Sequence, residues 1–342
     1  MTKIKEKKNR NLFEYEERMK ELTRKKTHLE RLNQIIPWEI FRAPLENAFH
    51  KEAKAPGGAS HYDYVFMFKV LVIQKFYSLS DEQTEYQIKD RLSFQKFLGL
   101  TLSDDIPDEK TIWHFRECLI KEGAIDELFQ LFNAHLHKQG VVGNEGIIID
   151  ASFVEMPRQR NNRDDNKKIK SGEVPEDWKE NEHKMRQKDI DARWTKKNNE
   201  TYYGYKDHVK ADKDSKIILS YHTTPANVHD SQALGDLLTD DDRGKDAWAD
   251  SAYADQPILN EYEMSLHVHE KGCRNRKLTD EQKQLNREKS RVRARVEHIF
   301  GFIENSMKGF TVRSIGLPRA HGNIGLINLV YNMCRYWQCV NV

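Results

Sequence analysis

The stretch GIIIDASFVEM, residues 146–156, decides the fold of this chain. Its run of β-branched and apolar residues is typical of a buried β-strand. Asp150 stands in the middle of that run. A buried carboxylate without a partner costs several kcal/mol of folding free energy or takes up a proton. Taken alone, Asp150 is explained more simply as a strand-end or hydrogen-bonded aspartate, so its role depends on what lies near it.

The residues that follow this strand predict a mixed sheet covered by helices. Two alternating segments, 203–211 and 216–223, indicate a hairpin around a polar turn at 212–215. Further along, the pattern predicts a helix from Asp230 to Leu238, a strand at 245–250, a helix at 254–263, a strand at 266–270, and helices at 279–307 and 323–338. A three-strand meander followed by βαβ-type strands matches the ribonuclease H-like layout, an α/β fold with helices on both faces of a mixed sheet.

Residues 1–142 predict an all-helical N-terminal domain, which precedes the α/β domain at 143–342. Asp63, Ser80 and Asp108 are each placed to cap a helix. The short helices that follow Ser80 have a helix-turn-helix rhythm. That rhythm is a weak sign of DNA binding, because ordinary helical packing produces it as well.

A polar segment separates the first strand from the hairpin. Residues 157–200 are too hydrophilic for a core, and we expect this insertion to be mobile without a partner. It carries a basic cluster at 158–170 and two tryptophans, Trp178 and Trp194. Alternating cations and aromatic rings suit phosphate contacts and stacking on an unpaired base, although a solvated loop can have the same composition.

Composition excludes several classes of protein. The 342 residues include 56 basic and 54 acidic side chains, which gives a net charge of +2. No apolar stretch reaches the roughly 18 residues needed to span a bilayer, and the charged N-terminus has no signal-peptide core, so we expect a cytoplasmic protein. The four cysteines are too few and too irregularly spaced for a disulfide framework. The positive charges cluster at 3–8, 158–170, 196–197 and 287–295, so a neutral total does not exclude DNA binding.

Two further acids stand where acids are costly. Asp250 ends a short predicted strand, and Glu297 lies among apolar residues of a predicted helix. Each alone has a structural explanation, since Asp250 could cap the next helix and Glu297 could pair with Arg293 or Arg295. Together with Asp150, they predict a site where divalent cations remove the cost of burial. Hard oxygen ligands favour Mg²⁺ or Mn²⁺, and two such ions would activate a nucleophile and stabilise the leaving oxygen at a phosphodiester.

Several blocks of sequence carry a family resemblance. They are RLSFQKFLGLTLSDDIPDEKTIWHFRECL (91–119), IIIDASFVE (147–155), YGYKDHVKADKDSKIILSYHTTPANVHDS (203–231), WADSAYAD (248–255) and RVRARVEHIFGFIE (291–304). In this order they resemble the DDE transposases of bacterial insertion sequences, specifically the insertion-sequence-five group with an InsH-like N-terminal domain. The resemblance covers nearly the whole chain. It implies that Asp150, Asp250 and Glu297 are the catalytic, metal-binding residues.

Two positions depart from the family pattern. Related transposases carry a tyrosine seven residues before the glutamate and a lysine seven residues after it, and here these positions are Ser290 and Glu304. The DNA contacts of that tyrosine and lysine therefore cannot be transferred, whereas Arg293 keeps its place four residues before Glu297. Glu304 remains a rival third carboxylate, but the arginine spacing favours Glu297.

The basic clusters and the resemblance suggest which residues contact DNA. The candidates are Arg158, Arg160, Arg163, Lys167, Lys168 and Trp194 in the insertion, and Arg287, Arg291, Arg293 and Arg295 on the long helix. The helix arginines could replace the missing phosphate contacts. His229 could reach the scissile phosphate or a metal-bound water, whereas Asp230 after it is explained as a helix N-cap.

The resemblance implies a transposase that binds the terminal inverted repeats of its own element. It would cleave DNA with two Mg²⁺ or Mn²⁺ ions per active site and join the 3′-hydroxyl to target DNA. Cutting two ends for one target implies a homodimer on double-stranded DNA. Two rivals remain. A non-catalytic DNA-binding protein derived from a transposase would not need buried carboxylates, and the N-terminal block argues against a ribonuclease H-like nuclease without transposition.

Overall fold

The computed structural model describes residues 14–25, 27–49, 61–101, 103–143, 145–197, 199–254, 256–268 and 278–340. The basic cluster at 3–8 and the end of the strand expected at 266–270 lie outside the described residues. Among the helices that are described, none is long and apolar enough to cross a membrane.

The described N-terminal part is helical, as predicted. Its α-helices are Glu14–Lys25 (α1), His28–Ile35 (α2), Arg42–Phe49 (α3), Tyr64–Phe76 (α4), Asp81–Asp90 (α5), Leu92–Leu98 (α6), Glu109–Lys121 (α7) and Ala124–Lys138 (α8). The predicted caps are confirmed, because the side chains of Asp63, Ser80 and Asp108 accept backbone hydrogen bonds at the starts of α4, α5 and α7. Helix α4 is buried over most of its surface because apolar residues occupy nearly all of its sides.

The strands form one mixed sheet. They are Ile147–Glu155 (β1), Arg193–Lys197 (β2), Glu200–Asp212 (β3), Ile218–Pro225 (β4), Asp246–Trp248 (β5) and Ser265–His267 (β6). β3 is antiparallel to β1, β2 and β4, whereas β5 is parallel to both β1 and β6. This arrangement confirms the predicted mixed sheet, and its ribonuclease H-like layout stays a prediction. Strand β2 was not expected; it is the end of the insertion, which pairs with the start of β3.

The two faces of the sheet belong to different cores, because side chains alternate along a strand. Ile148 and Val154 of β1 lie in the larger core, whereas Ile147 and Ile149 lie in the smaller one. Asp150 lies two residues after Ile148 and four residues before Val154, so all three side chains are on the same face of β1. Its side chain therefore points to the face that the larger core covers.

Helices of the C-terminal part cover the sheet. They are Leu234–Leu237 (α12), Pro257–Glu261 (α13), Asp280–Asn305 (α14) and Leu317–Val340 (α15). Helices α9 to α11 belong to the insertion. α14 packs against β1 and β5, and α15 packs against β4 and against α2, α4, α7 and α8. α15 begins at Leu317 rather than at the predicted residue 323. One continuous hydrophobic core therefore joins the N-terminal helices to the sheet.

The helix expected to begin at Asp230 is shorter and is capped differently. Residues Asp230–Ala233 form a 3-10 turn before α12. The capping side chain is His229, which accepts a hydrogen bond from the Ser231 N–H, so the N-cap role predicted for Asp230 is wrong. Asp230 pairs instead with the ammonium of Lys206 on β3 at 2.6 Å. A largely buried ammonium needs an opposite charge, and this requirement outweighs the capping preference.

The insertion is folded, contrary to the expectation that it would be mobile without a partner. It contains Arg163–Lys170 (α9), Glu176–Lys179 (α10) and Glu182–Gln187 (α11), followed by β2. Trp178 is fully buried. The buried Asp189 accepts hydrogen bonds from the Tyr205 hydroxyl and the Gly316 N–H, both at 2.9 Å. These contacts tie the insertion to the sheet and to the start of α15.

Gly325 lies in α15 where this helix crosses β4 closely. A Cβ atom on Gly325 would stand 2.7 Å from Cζ of the buried Tyr221. Helix propensity alone favours alanine over glycine by about 0.5–1 kcal/mol. Overpacking costs about 1–3 kcal/mol, and a rigid ring cannot move aside easily. We therefore expect Gly325→Ala to lower the free energy of unfolding by about 1–3 kcal/mol in chemical denaturation.

Gly301 of α14 offers the matched control. Among the described residues, no atom lies within 4 Å of a Cβ built there. Gly301→Ala is therefore expected to raise the free energy of unfolding by about 0.5–1 kcal/mol. Equal stabilisation by both substitutions would contradict the close approach of α15 to Tyr221.

Candidate active site

Asp150 and Asp250 come side by side because their strands are parallel neighbours. β1 and β5 pair in a register that places Ile148 opposite Trp248. The same register, continued by two residues, brings Asp250 level with Asp150 just beyond the end of β5. Neighbouring strands lie about 4.8 Å apart. Two carboxylates that are distant in sequence therefore share one position across the sheet.

The Asp150 carboxylate is largely withdrawn from water. Burial is the main cause that raises the pKa of Asp150 to about 6, and the negative charge of Asp250 adds to the rise. The Ala151 N–H, which donates to Asp150 Oδ1 at 2.8 Å, lowers this pKa, as do the charges of Arg293 and Lys197. A cation between the two carboxylates would stabilise the charged form of both.

Asp250 also begins a short turn. Its Oδ1 accepts a hydrogen bond from the Ala252 N–H and thereby caps the 3-10 turn Ser251–Tyr253. The capping explanation considered for Asp250 is therefore correct. It does not exclude a role in the site, because Asp250 Oδ2 has no hydrogen-bond partner among the residues that the structure describes.

Helix α14, which carries Glu297, packs against β1 and β5. The helix is anchored by the buried side chains of Val296, Ile299, Phe300 and Ile303. The charge of Arg293 on this helix acts on the Asp150 carboxyl. Residues four apart on a helix are neighbours on one face, so Glu297 lies one turn beyond Arg293. The Glu297 side chain is exposed.

The rival carboxylate, Glu304, lies farther along α14. The pKa of Tyr202 is raised mainly by its hydrogen bond to Glu200, and the charge of Glu304 contributes a smaller part. Glu297 thus stands between Arg293, which acts on Asp150, and Glu304, which acts on Tyr202. Of the two glutamates, Glu297 is the one that lies one helical turn from Arg293, whose charge acts on Asp150.

The donor atoms suit a hard divalent cation. Asp150 and Asp250 offer carboxylate oxygens at adjacent strand positions, and such ligands are those of Mg²⁺ and Mn²⁺. Within the described residues, no group of three His, Cys, Asp or Glu side chains converges closely enough to hold a metal ion. A third ligand from Glu297 therefore requires a change of its side-chain rotamer or a shift of α14.

Tyr253 lies close to Asp150 and Asp250 and was not singled out from the sequence. It is buried, and its pKa is raised by burial and then by the charges of Asp230, Asp150 and Asp250. Its hydroxyl has no hydrogen-bond partner in the part of the chain that the structure describes. The signal available in the sequence was the spacing of Tyr253, three residues after Asp250 in WADSAYAD.

An aromatic and basic surface surrounds Phe153, which lies three residues after Asp150 on β1 and points to the opposite face of the sheet. The rings of Phe153 and Tyr202 stack with their centroids 4.2 Å apart and 10° between their planes. The ammonium groups of Lys197 and Lys206 lie 5.7 and 5.3 Å from the centroid of the Phe153 ring. Lys197 was predicted only as part of a basic cluster, and the fold brings its charge to Asp150. Rings and cations in this combination suit a nucleic-acid strand.

The DNA-binding residues predicted in the insertion lie on its surface. The exposed cations are Arg158, Arg160, Arg163, Lys167 and Lys168. Trp194 is 41% exposed, and the guanidinium of Arg158 lies 5.7 Å from its ring centroid. Trp178 is fully buried. Of these two tryptophans, Trp194 is the one that presents a stacking surface.

The arginines predicted to contact DNA on α14 differ in their surroundings. Arg287 and Arg291 are exposed, and Arg293 is half-buried near Asp150. Arg295 donates to the Lys213 carbonyl at 2.7 Å and pairs with Asp214 at 2.6 Å. The Arg295 guanidinium therefore holds α14 against the turn between β3 and β4.

His229 lies near the candidate site. The 3-10 turn that it caps packs against the turn Ser251–Tyr253, which follows Asp250. The His229 side chain is exposed, and its Nδ1 lies 2.9 Å from the Ser231 hydroxyl. Its Nε2 has no hydrogen-bond partner among the described residues.

Comparison with known proteins agrees with this architecture. Residues 143–333 match the family model of the transposase DDE domain, and residues 16–118 match a transposase domain designated DUF772. The chain belongs to the DDE-domain transposases. A solved structure of the piggyBac transposase synaptic complex with hairpin DNA is similar with a TM-score of 0.44 and 11% identity, over 89% of this chain and 74% of that chain.

This transposase is therefore an enzyme that cleaves and transfers DNA strands. DDE transposase domains depend on metal ions for their activity. The predicted family, enzyme class and function are confirmed at this level. The narrower assignment to the insertion-sequence-five group stays a prediction.

Proposed function

We propose that this transposase binds the terminal inverted repeats of its own element, cleaves at the element ends and joins the 3′-hydroxyls to target DNA. Asp150, Asp250 and Glu297 are its catalytic, metal-binding residues. The observation that supports this proposal is the register of β1 and β5, which, continued by two residues, brings Asp250 at the end of β5 level with Asp150 on β1. The shared sequence blocks support membership of the insertion-sequence-five group.

The proposed cofactor is Mg²⁺ or Mn²⁺, with two ions per active site. When bound, the metal supplies Lewis-acid activation of the attacking oxygen and stabilises charge on the leaving oxygen. Asp150 and Asp250 would hold it from the sheet, and Glu297 would hold it from α14. The raised pKa of Asp150 supports this assignment, because a carboxylate disfavoured by burial gains most from a neighbouring cation.

DNA would reach these carboxylates along basic and aromatic side chains. Arg293 and Lys197 lie near Asp150, where they can hold the scissile phosphate in place. The exposed Trp194 ring can stack on an unpaired base. The exposed cations of α9 and of α14 extend this surface, and His229 stands beside the turn that follows Asp250.

We assign residues 1–142 to DNA binding and dimerisation and residues 143–342, with the insertion at 157–200, to catalysis. The separate family models at 16–118 and 143–333 support a division between them. Joining two ends to one target requires two active sites, so the proposed working unit is a homodimer on double-stranded DNA. We place the activity in the cytoplasm of a bacterial or archaeal cell, where its DNA substrate lies.

Paired substitutions on α14 test the third ligand. Glu297→Gln is expected to lower the rate of metal-dependent cleavage of a labelled element-end duplex by about 10³-fold, which corresponds to about 4 kcal/mol of transition-state stabilisation. Glu304→Gln is the matched control, and it is expected to cleave within a few-fold of the wild type. Both variants are expected to bind the duplex normally in a gel-shift assay.

Three other results of these cleavage and binding assays would each contradict a part of the proposed function. An inactive Glu304→Gln beside an active Glu297→Gln would move the third ligand to Glu304. Binding without cleavage by the wild-type protein would indicate a DNA-binding protein without catalysis. Cutting of any duplex without strand joining would indicate a nuclease.

A further inference from the structure

A cavity of about 170 Å³ lies where the N-terminal helices meet the segment between α14 and α15. Its walls come from the end of α4, the start of α5, α7, residues 309–314 and α15. Its polar lining includes the side chains of Lys75, Ser78, Ser80, Arg116, Arg313 and Asn323. Neither Asp150 nor Asp250 is among its lining residues, so the cavity is distinct from the candidate active site.

Arg116 is a fixed cation in the cavity wall. Its Nη1 and Nη2 atoms lie 2.6 and 2.9 Å from the two carboxylate oxygens of Asp81, and Nη1 also donates to Gln74. Arg116 is only 8% exposed, and its Nε has no hydrogen-bond partner within the described residues. A buried N–H without an acceptor is unfavourable. The guanidinium of Arg116 contributes positive charge to the cavity wall.

Two further cations at the cavity, Lys75 and Arg313, form no ion pair with any residue that the structure describes. The Lys75 ammonium donates to the neutral amide oxygen of Asn323. Burial, and then the charge of Arg116, lowers the pKa of Lys75 to about 7 against the attraction of Asp81. Arg313 is exposed and has no ion-pair partner in the described part of the chain. Among the described lining residues, three side chains are cationic and one, that of Asp81, is a carboxylate.

We propose that this cavity binds a phosphate group through Lys75, Arg116 and Arg313, with the hydroxyls of Ser78 and Ser80 as further donors. Guanidinium and ammonium groups form strong charge-assisted hydrogen bonds with phosphate oxygens. The Ser80 oxygen accepts from the Gln83 N–H, so its own O–H is free to donate to a ligand. The cavity is several times the roughly 30 Å³ that one water molecule occupies in the liquid.

The phosphate comes either from a DNA backbone or from a free phosphate compound, because both present the same oxygens. The proposed phosphate site takes no part in DNA cleavage, and it does not depend on the catalytic roles proposed for Asp150, Asp250 and Glu297. Its failure in a test would leave the proposed catalysis untouched.

Sulfate is the probe, because it has the shape of phosphate and keeps a constant charge between pH 6 and pH 8. Thermal unfolding of the full chain is followed during a sulfate titration at constant ionic strength set with chloride. The wild-type Tm is expected to rise in a saturable manner. Lys75→Met and Arg313→Ala are each expected to weaken sulfate binding by about 10-fold.

Lys138→Ala is the matched control, because it removes an exposed cation at the end of α8, away from the cavity lining. It is expected to bind sulfate as the wild type does. Arg313→Ala changes an exposed residue, so its effect does not depend on a buried substitution being tolerated. Equal sulfate binding by all of these proteins overturns the proposal.

The pH dependence of sulfate binding tests the part played by Lys75. The charged groups around its amine are Arg116 of α7, Asp81 of α5 and Arg313 of the 309–314 segment. Since the Lys75 ammonium loses its proton near pH 7, sulfate affinity is expected to fall about 10-fold from pH 6 to pH 8. Lys75→Arg keeps its charge and is expected to flatten this dependence. An unchanged dependence in Lys75→Arg overturns the role given to Lys75.

DNA titrations identify the source of the phosphate. If a backbone phosphate occupies the cavity, sulfate competes with duplex binding, and Arg313→Ala reduces the slope of log affinity against log salt by about 1. If a free phosphate compound is the ligand, Arg313→Ala binds duplex normally while its sulfate binding is weakened. Either result supports the phosphate site and assigns its ligand.

Discussion

Asp150→Asn is expected to abolish DNA strand cleavage while DNA binding is retained. The amide has nearly the shape of the carboxylate but carries no negative charge, so it cannot neutralise a divalent cation. We expect the single-turnover cleavage rate of an element-end duplex to fall by at least about 10³-fold. Binding of the same duplex, followed by fluorescence anisotropy, is expected to stay within a few-fold of the wild type.

The same substitution is expected to stabilise the metal-free protein. The folded-state pKa of Asp150 is about 6, above its ordinary value of 3.8, so the folded protein holds this proton more tightly than the unfolded chain. The contribution of Asp150 is therefore fully present below about pH 4 and is lost as the pH rises through about 6. Asparagine stays neutral and avoids this loss. The expected gain in unfolding free energy at neutral pH is about 1–3 kcal/mol, because partial solvent screening reduces the full effect.

Asp246→Asn is the control for Asp150→Asn. Asp246 lies on β5 near Asp250, but its carboxylate is 47% exposed and lies 3.0 Å from Nε2 of His267. It is expected to keep cleavage activity and to change stability little. Cleavage by Asp150→Asn at the wild-type rate would remove Asp150 from the active site. Loss of duplex binding together with cleavage would indicate a structural role instead.

Asp242→Asn is expected to lower the free energy of unfolding by about 3–5 kcal/mol. Asp242 pairs with the ammonium of Lys210 at 2.5 Å, and the two side chains are 2% and 3% exposed. Breaking a buried ion pair by removing one partner leaves the other charge in a poorly solvated place. Asp242 also accepts a hydrogen bond from the Thr239 N–H, which asparagine can replace through its amide oxygen. Urea denaturation at neutral pH measures the loss.

A double variant and a neighbouring surface pair complete this test. Lys210→Met combined with Asp242→Asn removes both charges and is expected to recover part of the loss, with a coupling energy of about 1–3 kcal/mol. Asp240→Asn breaks the exposed pair between Asp240 and Arg243 in the adjoining turn, and it is expected to change stability by less than about 0.5 kcal/mol. Equal losses at Asp240 and Asp242 would contradict the burial of the Lys210 pair.

Local elements were predictable because their causes are local. The β-branched run around Asp150 forms a strand, and the side chains of Asp63, Ser80 and Asp108 cap helices within three residues of themselves. A strand preference and a cap each depend on neighbours in sequence. The order of these elements sufficed to predict the mixed sheet.

The insertion shows where composition misleads. Its high polarity suggested a mobile segment, yet Trp178 is fully buried, and the hydrogen bonds of Asp189 hold the segment against the sheet and the start of α15. A few anchors suffice when the partner surface already exists, and composition averages over them. Sequence preference also failed at Asp230, which was predicted to cap a helix but forms an ion pair with Lys206 instead.

By itself the sequence determined the strand that carries Asp150, the order of strands and helices, and the blocks that mark a DDE transposase. Only the tertiary structure decided that Asp250 stands level with Asp150, that Arg293 acts on the same carboxyl, and that Tyr253 is buried among these acids. The physical reason is that strand register and helix placement are settled by packing between residues far apart in the chain. No pattern within one segment contains that information.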